Sequence, residues 1–528
     1  MIVFKTKDNI VACLILVIAI ISFFAWGYNS VASDYIPIFF ITALFGIFMA
    51  FNIGGNDVAN AFGTSVGAKT LTIKQALVIA AVFELSGAVF AGAEVTSTIR
   101  SGIISFPADK ISPMQLVAVM MSALFSASLW LFFATKKGLP VSTTHSIVGG
   151  IVGGGIMMGY INFDNSINEA VDLVHWTKIE SIVLSWVVSP LLGAVIAYII
   201  FVYIQKTLIK PSIELSQKLV DLKSLRQNIK QQMLEKISND KDKSKDQQIQ
   251  ELKHIILTYD DKYIIDKNDS ANTFINHLID IRSQEKQTQK KSLNCIKLHI
   301  PLIAMFSSLI VFSALAFKGL KNLDLQLTQW QIVWILFAIS LFSFFASLAV
   351  VNIMKYSASQ KKIINRIFGW FQLFTASAFA FSHGANDIAN AIGPFSAVLE
   401  ILRTGQIADK SPIPTFALIV FGIALVLGLW VMGKEVINTV GTRLAHLEPY
   451  TGFVAELSAS SVILIATMLG LPISSTHVLI GAVLGIGLYN KDANLKMIKP
   501  ILLAWLITLP IAIVGAAIGF LLISKFVI

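Results

Sequence analysis

Charge is scarce in this chain. Of its 528 residues only 14% are Asp, Glu, Lys or Arg, whereas a soluble protein carries roughly a quarter. A soluble enzyme and a disordered hub are excluded on that ground. Cysteine is nearly absent as well. Cys13 and Cys295 lie far apart in unlike surroundings, so neither a disulfide scaffold nor a cysteine metal site is expected. The sequence also contains no P-loop and no H-E-x-x-H zinc motif, which argues against ATP hydrolysis and against a zinc hydrolase.

What the chain has instead is apolar length. Hydrophobic residues make up 55% of it, with 36 Phe, and the mean hydropathy is +0.73. Apolar runs near the 20 residues needed to cross a bilayer occur at 10–27, 35–54, 73–93, 114–134, 179–204, 298–317, 330–354, 368–382, 415–433, 452–470 and 500–524. Four shorter pieces at 56–68, 141–161, 386–401 and 473–489 are rich in Gly, Ser, Thr and Asn. They read as broken or re-entrant helices, which membranes tolerate only where the backbone faces protein or a water-filled cavity. The expected fold is an all-α polytopic membrane protein of about 12 transmembrane segments.

The net charge of +10 has a local origin. Residues 205–297 hold 18 Lys/Arg and 13 Asp/Glu out of 72 charges in the whole chain. This is the pattern of a cytoplasmic segment under the positive-inside rule, and no nucleic-acid partner is expected. Leu215, Leu219, Leu222, Ile229, Met233 and Ile237 recur there at helical spacing, and Ile249, Leu252 and Ile256 begin a second stripe. The chain therefore divides into a membrane half at 1–204, a helical insert at 205–297 and a second membrane half at 298–528.

The two halves repeat each other. Asn56-Asp57-Val58-Ala59-Asn60-Ala61-Phe62-Gly63 matches Asn386-Asp387-Ile388-Ala389-Asn390-Ala391-Ile392-Gly393 at six of eight positions. Leu139-Pro140-Val141-Ser142-Thr143-Thr144-His145 matches Leu471-Pro472-Ile473-Ser474-Ser475-Thr476-His477 at five of seven. From Asn56 to His145 is 89 residues and from Asn386 to His477 is 91. Paired interrupted segments at matching places in two halves point to a transporter substrate site at the repeat interface.

The chemistry of the motifs agrees with that. Asp57 and Asp387 sit in apolar surroundings, where an ionisable side chain is costly and marks a functional path. Helix starts at the Ser/Thr clusters present backbone N–H groups to a small oxyanion, with no Lys or Arg inside any of the four motifs. Bare carboxylates would repel that anion by on the order of 4 kcal/mol per pair at 4 Å, so a cation must neutralise them. Asp and Asn oxygens suit a hard cation such as Na⁺, and H⁺ is the alternative. Glu84 and Glu456, each midway through an apolar run, are further candidates for coupling. The expected anion ligands are Asn56, Asn386, Ser142, Thr143, Thr144, Ser474, Ser475 and Thr476; the expected cation ligands are Asp57, Asn60, Asp387, Asn390, Glu84 and Glu456.

Two other patterns have plainer readings. Gly63-Thr64-Ser65-Val66-Gly67 fits a nucleophile elbow but follows no strand and has no triad. The G-x-x-x-G spacings Gly149/Gly153 and Gly481/Gly485 most simply mean close helix packing.

At these residues the sequence resembles the PiT family of inorganic phosphate transporters. Gly384-Ala385-Asn386-Asp387-Ile388-Ala389-Asn390-Ala391 is similar to the family signature G-A-N-D-V-A-N-A, whereas the first copy carries Gly55 in place of Ala. Phe83-Glu84 and the Leu-Pro-x-Ser-x-Thr-His motifs resemble the family pattern too, and the likeness covers both halves but not the insert. It implies two inverted-topology repeats, cation-coupled phosphate uptake across the cell membrane and essential roles for Asp57 and Asp387. A sulfate or other oxyanion carrier of the same fold, an anion channel and an intramembrane hydrolase are the competing readings. The expected partners are inorganic phosphate, Na⁺ or H⁺ and the bilayer; no cofactor is expected, and a homodimer is left open.

Overall fold

The computed structural model describes residues 7–105, 107, 110–239, 270–314, 316, 327–353, 360–407, 413–443, 448–491 and 495–528. Among the described residues the chain is almost entirely helical, with a lone antiparallel bridge between Ile104 and Val174. Among the same described residues ten helices are long and apolar enough to cross a membrane, and Cys13–Tyr28 and Ser475–Asn490 are shorter apolar helices. The protein is a polytopic membrane protein.

Two compact units are present. One comprises residues 1–202, 306–340 and 365–528, and so contains both copies of every sequence motif. The other comprises 203–305 and 341–364. In the second unit the helix Lys210–Asn239 carries the first amphipathic stripe. Arg226 Nε pairs with Glu285 Oε1 at 3.0 Å, which ties that helix to Ser270–Ala314. The stripe beginning at Ile249 lies outside the described residues.

In the first unit the glycine spacings have a direct physical use. Helix Thr143–Asn162 packs against Pro113–Lys136 and Leu495–Val527. A Cβ on Gly153 would stand 2.1 Å from the carbonyl oxygen of Ile513. On the helix Ser475–Asn490, a Cβ on Gly481 would stand 2.2 Å from that of Pro190. Each motif helix thus seats its backbone directly on a long apolar span, as small residues allow where lipid supplies no hydrophobic drive for association.

The Leu-Pro loops are helix stops followed by restarts. Helix Pro113–Lys136 ends at Gly138, φ +66°, with Leu139 N–H donating to Ala134 and Gly138 N–H to Thr135. Helix Pro449–Met468 ends in the same way at Gly470, φ +67°, with Leu471 bonded to Ala466 and Gly470 to Thr467. Glycine reaches this left-handed turn without a Cβ penalty, and the proline then prevents the helix from continuing. Ser142 and Ser474 restart the chain, each accepting from the N–H three residues on, at 3.2 Å from His145 and 3.3 Å from His477.

Candidate functional site

Both Asn-Asp motifs lie where a helix is interrupted. The first occupies a π-helical turn, Gly54–Val58, between Ile36–Ile53 and Ala59–Gly67. Such turns appear frequently at functional sites. The second lies at the junction of Gln360–Asp387 and Ala389–Thr404. Asn56, Asp57, Asn386, Asp387 and Asn390 are all buried. The side chain of Asn60 lies outside the described residues.

The two asparagines that open the motifs clamp the Leu-Pro loops. Asn56 Nδ2 donates to Thr135 Oγ1 at 3.0 Å and to the Leu139 carbonyl at 2.9 Å, and its Oδ1 accepts from Val141 N–H at 3.2 Å. Asn386 Nδ2 repeats this with Thr467 Oγ1 at 3.1 Å and the Leu471 carbonyl at 3.2 Å. The repeat seen in the sequence is thus also a repeat of hydrogen bonds. These amides hold the loops that carry the hydroxyl clusters.

The clusters then cross between halves. Thr476 donates to Asp57 Oδ1 at 2.8 Å, and Thr143 also hydrogen-bonds to the Asp57 carboxylate. Ser475 donates to Asp387 Oδ2 at 2.6 Å. Asn390 Nδ2 lies 3.3 Å from both Thr143 Oγ1 and Thr144 Oγ1, and Thr144 donates to the Ile473 carbonyl at 2.9 Å. All four motif segments therefore meet in one buried polar cluster, with two helix N-termini opening into it.

His145 and His477 stand together near the starts of the two motif helices. Their ring centroids are 4.7 Å apart at 90°. His145 lies against Trp186 at 3.8 Å and His477 against Trp505 at 3.5 Å. The indole of Trp186 donates to the Pro472 carbonyl at 3.1 Å and that of Trp505 to Pro140 at 3.3 Å. Each tryptophan braces the Leu-Pro loop of the other half.

Glu84 and Glu456 occupy different settings. Glu84 Oε2 lies 2.8 Å from His383 Nδ1, and His383 Nε2 lies 2.8 Å from Asp387 Oδ2, a buried chain that ends in the cluster. Glu456 is ringed by neutral donors. Thr64 at 2.7 Å, Gln372 at 3.2 Å and Ser65 reach Oε1, while Thr375 reaches Oε2 at 2.8 Å. Ser65, the residue of the discounted elbow pattern, is thus a helix residue bound to a carboxylate.

His383 was not among the residues expected from sequence. Its first-half counterpart is Ile53, so the repeat gave no hint of it. The available signal was a histidine in an apolar span four residues before Asp387, the spacing at which helical side chains meet.

One ligand atom each from Asp57, His383 and Asp387 lie within 4.8 Å of one another. Among the described residues, Asn386 Oδ1, Asp387 Oδ1 and Asn390 Oδ1 are buried without a hydrogen-bond donor. Unsatisfied buried acceptors are costly. Asp387 Oδ1 and Asn390 Oδ1, with the nearby Asp57 carboxylate, offer oxygen donors suited to a hard cation.

The profile of the "Phosphate transporter family" matches residues 53–516. The chain belongs to that family. It is 41% identical over 504 residues to "Putative phosphate permease Mb2302" of Mycobacterium bovis, covering 94% of this chain and 89% of the relative. It is 32% identical over 481 residues to "Inorganic phosphate transporter 2-1, chloroplastic" of Arabidopsis thaliana, covering 89% and 70%. Among solved structures it is similar to "The sodium-dependent phosphate transporter", with TM-score 0.70, 30% identity, and 93% and 99% coverage.

Proposed function

We propose that the protein is a secondary active symporter that imports inorganic phosphate together with Na⁺. The observation that carries this reading is the buried cluster in which both Asp motifs and both Ser/Thr helix starts converge, with donor-free oxygens on Asn386, Asp387 and Asn390. Membership in a phosphate transporter family supports phosphate over sulfate. Similarity to a sodium-dependent phosphate transporter supports Na⁺.

The proposed division of labour follows from charge. Asp57 and Asp387, with Asn60 and Asn390, hold the cation. Ser142, Thr143, Thr144, Ser474, Ser475 and Thr476, together with the N–H groups of their helix starts, hold the anion. Asn56 and Asn386 act on the same anion through the loops they clamp. Until the cation arrives, two carboxylates repel phosphate; once it is bound, the anion meets a neutralised site. Coupling then needs no separate device. Glu84 acts on Asp387 through His383, and Glu456 serves coupling from its own ring of donors.

The halves are proposed to be inverted repeats that alternate access around this site. Segment 205–297 is proposed to lie in the cytoplasm and the chain in the cell membrane. One observation favours H⁺ as a second coupling ion, namely the titratable chain Glu84–His383–Asp387. Uptake of phosphate by the purified protein in liposomes, under an imposed Na⁺ or H⁺ gradient, separates the two. Concentrative uptake under the Na⁺ gradient alone supports Na⁺ symport. Uptake under neither gradient contradicts symport altogether.

A further inference from the structure

Away from the central cluster, a cleft of about 800 Å³ opens between the start of the helix Ile73–Ala91, the first turns of Gln360–Asp387 and Pro449. Its described lining holds basic and apolar side chains together with the neutral polar Thr70, Gln75 and Asn365. Lys69 and Lys74 are among its described lining residues. Val78, Trp370 and Leu373 are apolar members of that lining, with 66%, 69% and 45% of their surfaces exposed. Lys69 is held with φ +59°, a region that few residues other than glycine adopt.

Val78 belongs to a bilayer-crossing helix, because Ile73–Ala91 is one of the candidate spans, and Trp370 and Leu373 belong to Gln360–Asp387. Tryptophan is enriched at the level of the headgroups. Basic pockets between membrane helices bind anionic headgroups. We propose that this cleft is a binding site for an anionic phospholipid, whose phosphate lies between Lys69 and Lys74 and whose acyl chains run along Val78, Leu373 and Trp370. Free phosphate would use the lysines and leave the apolar wall idle. A zwitterionic lipid would use the wall without the charge.

The floor of the cleft leads inward. Thr70, one of the lining residues, hydrogen-bonds Gln372, which in turn donates to Glu456 at 3.2 Å. Thr70 N–H also bonds the carbonyl of Ser65, whose hydroxyl reaches the same carboxylate. A lipid that fixes the Lys69 turn therefore fixes two of the donors to Glu456 at the same time. Lipid occupancy and the order around that buried carboxylate should vary together.

The test uses the full chain in detergent micelles with phospholipids brominated on the acyl chains, which quench nearby tryptophan. The signal of interest is the part of the quenching lost in Trp370→Phe. Brominated phosphatidylglycerol is expected to produce it at a several-fold lower mole fraction than brominated phosphatidylcholine. Lys69→Gln/Lys74→Gln should bring phosphatidylglycerol to the phosphatidylcholine level and leave phosphatidylcholine quenching unchanged, which also reports that the fold is intact. Added inorganic phosphate should leave the preference in place. Equal quenching by both lipids in the parent protein would overturn the proposal, as would a preference that survives the double substitution. Loss of the preference on adding inorganic phosphate would assign the lysines to the free ion and equally overturn it.

Discussion

Thr476, in the second half of the chain, donates its hydroxyl to Oδ1 of Asp57 in the first at 2.8 Å. The two residues are 419 positions apart, and the bond joins the helix start proposed to bind the anion directly to the carboxylate proposed to bind the cation. Its consequence can be measured. A hydrogen bond to a charged group contributes about 1.5–3 kcal/mol, and roughly 1.4 kcal/mol is tenfold in affinity. Thr476→Val should therefore weaken apparent Na⁺ affinity by about tenfold or more, read as Na⁺-dependent phosphate uptake, whereas Thr476→Ser should retain most of it. Equal loss in both variants would place the role of Thr476 in packing.

The chain Glu84–His383–Asp387 predicts a pH signature. Histidine is the side chain whose charge ordinarily changes near neutral pH, and both of its ring nitrogens here face carboxylates at 2.8 Å. Uptake by His383→Gln should be slower than that of the parent, with a flatter pH profile across the neutral range. A variant with an unchanged profile would separate His383 from coupling.

Glycine packing gives a stability prediction. Gly481→Ala puts a methyl 2.2 Å from the Pro190 carbonyl oxygen, and overpacking typically costs about 1–3 kcal/mol. The variant should lose thermal stability in detergent, measured by monodispersity after heating. Gly405→Ala is a matched control for space, since nothing lies within 4 Å of its Cβ position, although φ +70° adds backbone strain. Equal stability of Gly481→Ala and the parent would refute the close approach.

Much of this architecture can be read from the sequence because it is local. Apolar length gives the spans, and Gly-Leu-Pro followed by Ser gives a helix stop and a capped restart in both halves. The G-x-x-x-G pairs, read as packing faces, do pack. Asn56 and Asn386 show where local reading ends. Their partners, Thr135 and Thr467, lie 79 and 81 residues away and belong to no motif. His383 was hidden because the repeat has Ile53 in its place. The ring around Glu456 draws on two helices other than its own, and no sequence spacing encodes that juxtaposition.

For the insert, a topology test is direct. Single cysteines introduced between residues 210 and 239, in a chain without its own two, should be labelled by an impermeant reagent only after the membrane is opened. A chain in which a flexible linker replaces most of 205–297 should keep Na⁺-driven uptake. Labelling of intact cells would reverse the assigned orientation, and a folded linker variant without uptake would give the insert a role in transport.

The carboxylates of Asp57 and Asp387 are proposed to bind the cation that admits phosphate. Radiolabelled phosphate uptake into liposomes containing the parent protein, Asp57→Asn or Asp387→Asn under an inward Na⁺ gradient tests this. Removing a charge from a membrane segment eases insertion, so the variants should reconstitute as well as the parent. The parent should accumulate phosphate above equilibrium and each variant should not. Na⁺-driven accumulation by either variant at the parent's level would contradict the account.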